Sequence, residues 1–424
     1  MSDLKKITYS NIDENIFFSK LSSGLHLYLV PKNGFQEVYA MMSCNFGSID
    51  NHFTINGKKK SVPFGIAHFI EHQLFDKGSQ GDIAQQFSKL GSESNAFTSF
   101  EKTYYYFSGS NNLLASLEML LTLVSNHEFT EESIKKEKDI IKKEINLYQD
   151  DPDNRLYEGV LKNMYPKTSL AEDIVGTNLS IEKITVKHLQ DCFSFFYQPS
   201  NLQLIVIGDF DINEVYNSIS TVQNEWIADK KTIIDKSPLF LHPIIKKRSI
   251  MMPISISKLA IGLRRNFSNK IFSMKEKIQI DLFFSLLFGW TSRDYQKWYD
   301  KGMIDDSFAV EITLSNRYQF IVISLDTNHP IAMSSHIKKT LKNISTKHNF
   351  TSQQLELLKK ERYGEFMRGL DTLDNLAHQL LEVDDHSYFD YPNVLMSITL
   401  NEVIKAGKEF LNQSELTEFM IFPK

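Results

Sequence analysis

The chain has 424 residues, 42% of them hydrophobic and 23% charged, with a formal net charge of −5. This is the profile of a soluble globular protein too long for one ordinary core, so two or more domains are expected. The acidic balance and the absence of any long basic run give no support for nucleic-acid binding, and Lys58-Lys59-Lys60 reads as a solvated loop.

Met1 to Asn11 is polar, with no apolar signal-like core, and no stretch approaches the roughly eighteen apolar residues of a membrane span. No membrane partner and a cytoplasmic location are expected. Cys44 and Cys192 lie far apart in apolar surroundings and read as buried free thiols.

Along the chain, Gly24–Pro31 and Glu37–Gly47 alternate as strands, and Pro63–Asp76 follows as an apolar helix. After a turn at Lys77-Gly78, a short helix near Asp82–Leu90 ends at Gly91, where a left-handed residue closes helices. Asn95–Ser99 and the Tyr- and Phe-rich Lys102–Gly109 are strand-like, the latter reading as core. Leu113–Val124, Glu131–Tyr148 and Val186–Phe196 are helices, and Leu202–Gly208 closes the first half as an apolar strand. Periodicity fails between Ala228 and Pro243, which reads as a linker. The second half repeats the order: strand Lys258–Leu263, helix Met274–Phe288, a hairpin of Ser307–Leu314 and Gln319–Leu325, helices Pro330–Ile344, Ser352–Arg368 and Asn401–Phe410, and strand Leu416–Ile421. Two halves of like order suggest a duplicated α+β unit, with domains at 1–227 and 244–424 joined by 228–243.

The chemistry is concentrated in His68-Phe69-Ile70-Glu71-His72. On a helix, positions i and i+4 share a face, so both imidazoles can reach one metal ion with Glu71 beside it. A hydrolytic zinc site needs two such ligands and a non-ligating carboxylate that takes a proton from water. The order H-x-x-E-H is the inverzincin signature.

A catalytic zinc normally takes three protein ligands. On the wheel of Glu131–Tyr148, Ile134, Ile140, Ile141, Ile145, Leu147 and Tyr148 form an apolar arc facing away from Lys135, Lys136, Asp139, Lys142, Lys143 and Asn146. Glu137 and Glu144 fall inside the apolar arc. Carboxylates on a buried face cost several kcal/mol unless a cation compensates them. An Arg or Lys from elsewhere is one account of that cation; metal coordination beside His68 and His72 is the other.

Taken together these segments resemble the pitrilysin–insulinase family of zinc peptidases, which includes the mitochondrial processing peptidases. HFIEH is similar to the family's inverted motif, and EKDIIKKEI to the segment in which one Glu sits seven residues before the metal-binding Glu. Asn95-Ala96-Phe97-Thr98 resembles the NA-x-T strand segment, and Tyr197-Gln198-Pro199-Ser200-Asn201 with Gly208-Asp209 resembles the close of the first domain. The resemblance implies one Zn2+ per chain held by His68, His72 and Glu144, with Glu71 as general base and Glu137 orienting a ligand or the water. It implies an α+β fold of two homologous half-domains, each a mainly antiparallel sheet flanked by helices, forming half of a clamshell. Peptide substrates would add as a strand to a sheet edge, placed at Asn95, Ala96 and Phe97.

The length is similar to the branch that works as a dimer. Where that family carries a substrate-holding Arg and Tyr in the second half, this chain has Tyr299 and Asp305. A heterodimer with a homologous second subunit is therefore expected over a homodimer. Arg317-Tyr318 is a local alternative for the pair, but a solvated hairpin turn is the default. The expected function is a zinc endopeptidase acting on peptides or unfolded leader segments, with bacteriocin-like maturation one possible setting. The alternative is a non-catalytic peptide-binding or scaffold subunit. His188 and His378 read as structural, Arg264-Arg265 as an exposed loop, and Gly78-Ser79-Gln80-Gly81 as no phosphate loop.

Overall fold

A computed structural model describes residues 4–75, 83–125, 127–224, 226, 234–236, 238–266, 271–343, 350–383 and 386–424. The turn at Lys77-Gly78, the Gly78–Gly81 segment and much of the expected linker lie outside the described residues. The strands are β1 (Lys5–Tyr9), β2 (Glu14–Lys20), β3 (His26–Pro31), β4 (Val38–Cys44), β5 (His52–Ile55), β6 (Lys58–Ser61), β7 (Ser92–Thr98), β8 (Thr103–Gly109) and β9 (Leu202–Gly208). The series continues with β10 (Ile234–Lys236), β11 (Lys247–Met252), β12 (Lys258–Arg265), β13 (Ala309–Leu314), β14 (Gln319–Asp326) and β15 (Ser414–Pro423). The first five helices are α1 (Ile66–Phe75), α2 (Ile83–Lys89), α3 (Leu113–Ser125), α4 (Glu131–Asp150) and α5 (Pro152–Met164).

The chain divides into two compact units that do not follow chain order. The first comprises Met1–Ile145, Asp173–Ser237 and Arg368–Asp390; the second comprises Asn146–Glu172, Pro238–Met367 and Tyr391–Lys424. In the first unit, seven strands run β1-β2-β3-β9-β4-β8-β7, antiparallel except for the β3/β9 pair. In the second, five strands run β11-β15-β12-β14-β13, antiparallel except for β11/β15. Numbered within each unit, β3, β4, β7, β8, β9 and β11 to β15 have one and the same connectivity: first, fifth, second, fourth, third. The duplication expected from element order is present as topology, with the parallel pair in the same place.

Sheet burial explains the sequence patterns. Alternate residues Leu27 and Leu29, Ala40 and Met42, Tyr105 and Phe107, Leu204 and Val206 point to one face. There they pack with Ile66, Phe69, Ile70 and Leu74 of α1 and with Leu117, Leu120 and Leu121 of α3. The helix Leu373–Val383 packs on β4 and β9 and buries Leu376, Leu380 and Leu381. A strand covered on both faces has no solvent side, so Leu202–Gly208 is buried along its whole length and apolar but for Gln203, rather than alternating. In the second unit the sheet is covered in part by α5, which packs on β12 and β15.

Several expectations need correction. Lys58–Ser61 is a strand paired to β5, not a loop, although its side chains are exposed as expected. The region read as a linker contains β10, which pairs with β5 through Ile234↔Ile55. Arg264 and Arg265 are buried at the end of β12. Their charge made them look exposed, but Arg264 donates to the Met164 and His242 carbonyls and pairs with Glu415. Arg265 donates to Gln413 and Gln319 and lies over the Phe272 ring. Tyr318, expected in a solvated turn, is buried and stacks on Phe320. On α4, Ile140, Leu147 and Tyr148 are exposed, and the buried stripe narrows to Ile134, Glu137, Ile141 and Ile145. Neighbours cover only one side of that helix, so a ~100° stripe suffices. Both thiols are free and buried, as expected.

Candidate metal centre and its surroundings

Helix α1 begins at a tight crossing. Gly65 and Gly176 both have left-handed backbones, at φ +83° each. A side chain on Gly176 would stand 2.8 Å from the Phe64 carbonyl oxygen, and one on Gly65 would stand 2.5 Å from that of Val175. Only glycine allows both the torsion and the approach. Gly176→Ala is expected to destabilise the protein by about 1–3 kcal/mol, read from its urea midpoint.

With its apolar side on the sheet, α1 turns His68, Glu71 and His72 toward α4. His68 and Glu71 are buried and His72 partly so. One nitrogen from each imidazole and one Glu71 oxygen lie within 4.8 Å of one another, and the two rings are 4.4 Å apart. From α4, Glu144 presents one oxygen to each ring: Oε1 is 3.6 Å from His68 Nε2 and Oε2 is 3.5 Å from His72 Nε2. Glu137, one helical heptad earlier and buried, accepts from the other nitrogen of His72, Nδ1, at 2.8 Å.

Those separations test whether a cation fits. Ligand atoms held ~2.0–2.2 Å from a tetrahedral zinc are ~3.3–3.6 Å apart, which matches the spacing between the Nε2 atoms and Glu144 and is too long for strong direct hydrogen bonds. Three carboxylates converge here, and among the described residues the only ion-pair partners of Glu137 and Glu144 are the two imidazoles. Among the described residues, no Lys or Arg pairs with either carboxylate. The donor set of two imidazoles and a carboxylate suits zinc.

The electrostatics agree. Burial first, then neighbouring His72, pushes His68 down to about 3, leaving it neutral with a lone pair to give. Burial also opposes a proton on His72, but the Glu137 hydrogen bond and charge, with Glu71 and Glu144, outweigh it and raise that ring. Burial lifts Glu71 to about 7 against the lowering influence of the Thr98 hydroxyl and His72.

Strand β7 terminates the sheet, bonded to β8 with Asn95↔Tyr106, Ala96↔Tyr105 and Phe97↔Tyr104 opposite. Asn95 is exposed, and its Oδ1 accepts from the Ala96 N–H at 2.8 Å. Phe97 stacks on Tyr104 and packs against His378, so His378 is a structural contact on this unit. Thr98, at the end of the same strand, donates to Glu71 Oε2 at 2.5 Å. The sequence alone gives Thr98 no role beyond closing the NA-x-T segment; its inward direction and its nearness to the motif helix come from the fold.

Residues 59–178 match the family described as Insulinase (Peptidase family M16), and 183–362 match the Peptidase M16 inactive domain. The zinc protease YmfH of Bacillus subtilis (strain 168), itself described as uncharacterized, is 35% identical over 429 residues, covering 99% of this chain and 100% of that protein. The chain belongs to peptidase family M16. An M16-like peptidase from Alicyclobacillus acidocaldarius has the same fold, with a TM-score of 0.90 at 27% identity over 97% of this chain and 99% of that one. The mouse mitochondrial-processing peptidase subunit beta is 27% identical over 203 residues, 46% of this chain and 42% of that protein.

The two matches follow chain order where the compact units do not: the first includes α5 of the second unit, and the second includes β9 of the first sheet. The first spans α1 to α4 and every residue of the cluster. In the second unit, the helix Met274–Phe288 follows β12 directly, where α1 follows β4 after the β5–β6 hairpin, and it contains no His or Cys. Among the described residues, the one group of His, Cys, Asp or Glu that could hold a metal ion lies in the first unit.

Proposed function

We propose that this M16 chain is a zinc-dependent endopeptidase that cleaves peptides or unfolded leader segments. The observation that carries this reading is the single Glu144 carboxylate facing both Nε2 atoms at 3.5–3.6 Å. His68, His72 and Glu144 would hold one zinc, which when bound supplies Lewis acidity toward a water and the scissile carbonyl. Glu71 takes a proton from the attacking water and passes it to the leaving amine nitrogen as the C–N bond breaks. A carboxyl that burial raises to about 7 suits both halves of that transfer. Glu137 fixes the tautomer and tilt of His72 through Nδ1. The terminal strand β7 receives substrate as an added strand along Asn95–Phe97, since edge N–H and C=O groups capture extended chains with little regard to side chains.

Zinc analysis of purified protein tests the reading: about one per chain supports it, and none would favour a non-catalytic binding subunit. Glu137→Gln is expected to lower zinc affinity about 10- to 100-fold, measured by competition with a chromogenic chelator, because the amide holds the imidazole less strongly than a carboxylate.

A homologous second subunit completes the enzyme in this reading. Tyr299 is half-exposed at the end of the helix Arg293–Tyr299, stacked on Tyr295, and Asp305 accepts from Ser307. Neither supplies the cationic group wanted beside a substrate carbonyl. Adding a homologous chain encoded next to this one is expected to raise turnover of an unstructured peptide; no gain at saturating subunit would refute the heterodimer. We place the protein in the cytoplasm; among the described residues no helix is long and apolar enough to cross a membrane.

A further inference from the structure

The Glu71 carboxylate has two oxygens, and a proton shuttle needs a definite one. Thr98 is buried, and its Oγ1 lies 2.5 Å from Glu71 Oε2. The next polar neighbour, Thr103 Oγ1, is 3.5 Å away, and Thr103 donates its own proton to the Phe46 carbonyl at 2.8 Å. A threonine hydroxyl has one proton. With a carboxylate at short range and a neutral hydroxyl a full ångström farther, that proton belongs to Glu71. The branched side chain on a strand is stiff about χ1, and the following turn is closed by Ser99 N–H to Lys102 O at 2.8 Å, with the Ser99 and Phe100 carbonyls taking the Ser48 and Ile49 N–H groups. The hydroxyl is therefore held by a rigid hairpin end rather than by a mobile loop.

We propose that Thr98 is a positioning residue for Glu71: its hydroxyl pins Oε2 and leaves Oε1 as the oxygen that takes up and releases the proton. This rests on the reading of Glu71 as general base. It also gives β7 two tasks, since the strand assigned to substrate capture ends in the group that aligns the base.

The test compares Thr98→Val, Thr98→Ser and Glu71→Gln in the full-length, zinc-loaded chain, with zinc content, kcat and KM on an unstructured fluorogenic peptide pool. Thr98→Val keeps the shape and removes the donor, so kcat should fall about 10- to 100-fold while KM and zinc content hold. Thr98→Ser should restore most of the loss. Crystals of the zinc-loaded variants read the orientation independently of turnover: the Glu71 carboxylate should be rotated or split in Val and unchanged in Ser. An unmoved carboxylate in Val overturns the proposal, as do a kcat near wild type in Val, zinc loss in Val, or a Ser variant as impaired as Val. A fully active Glu71→Gln would instead overturn the general-base reading, so the two failures are distinct.

Discussion

Glu71→Gln is expected to retain zinc and lose cleavage, with kcat/KM down about 10²- to 10⁴-fold, the usual worth of a positioned proton-transfer group. Glutamine has the volume of glutamate, so α1 should keep its packing through Phe69, Ile70 and Leu74. Its carbonyl can still accept the Thr98 hydroxyl that Glu71 Oε2 accepts now. What it cannot do is hold the water's proton between attack and departure of the amine. Because Glu71 is buried and raised to about 7, replacing it also removes a carboxylate that is costly to ionise in the metal-free protein. The variant should thus fold at least as well as wild type before zinc is added. The decisive measurement is zinc per chain beside kcat/KM: full activity with a glutamine at 71 would exclude the mechanism.

Glu144→Gln should do the opposite, losing the metal first and activity as a consequence. Its two oxygens face the two imidazoles, one each, so removing their charge takes the third donor from the set and leaves a neutral His68 with no anionic partner. Any ligand that binds only the folded state stabilises it by mass action, by about 2.7 kcal/mol at a hundredfold excess over its dissociation constant. Thermal unfolding of the wild-type chain should therefore rise with free zinc and fall on chelation. The Glu144→Gln curves with and without zinc should superimpose. His72→Ala should behave likewise, with the added exposure of Glu137, whose ion-pair partner is His72. If Glu144→Gln kept a full complement of zinc, Glu144 would not be the third ligand.

Much of this site was written locally. Four residues along a helix bring His68 and His72 to one face in any environment, and seven along another do the same for Glu137 and Glu144. The expected helices Val186–Phe196 and Met274–Phe288 and the strand Leu202–Gly208 match the observed bounds because each is an apolar-rich segment with a clear stop. The buried Glu137 and partly buried Glu144 on α4 were legible as a contradiction: a lysine-rich helix with glutamates on its core side must meet a positive group. The width of that apolar arc was not, since the wheel gives directions but says nothing of which neighbours arrive.

By itself, then, the sequence determined what short-range geometry determines: the helices, most strands, the motif's shared face and the demand for a cation. The tertiary structure alone decided that Glu144 meets both imidazoles, that Thr98 reaches Glu71, that Arg264 and Arg265 are buried and that Leu373–Val383 packs on β4 and β9. Each of these joins residues 27 to more than 300 positions apart, through a strand order of first, fifth, second, fourth, third. Periodicity carries information only over a few turns or a few pleats. Which strand lies beside which is settled by the burial of whole sheet faces, and so emerges only once the chain has folded.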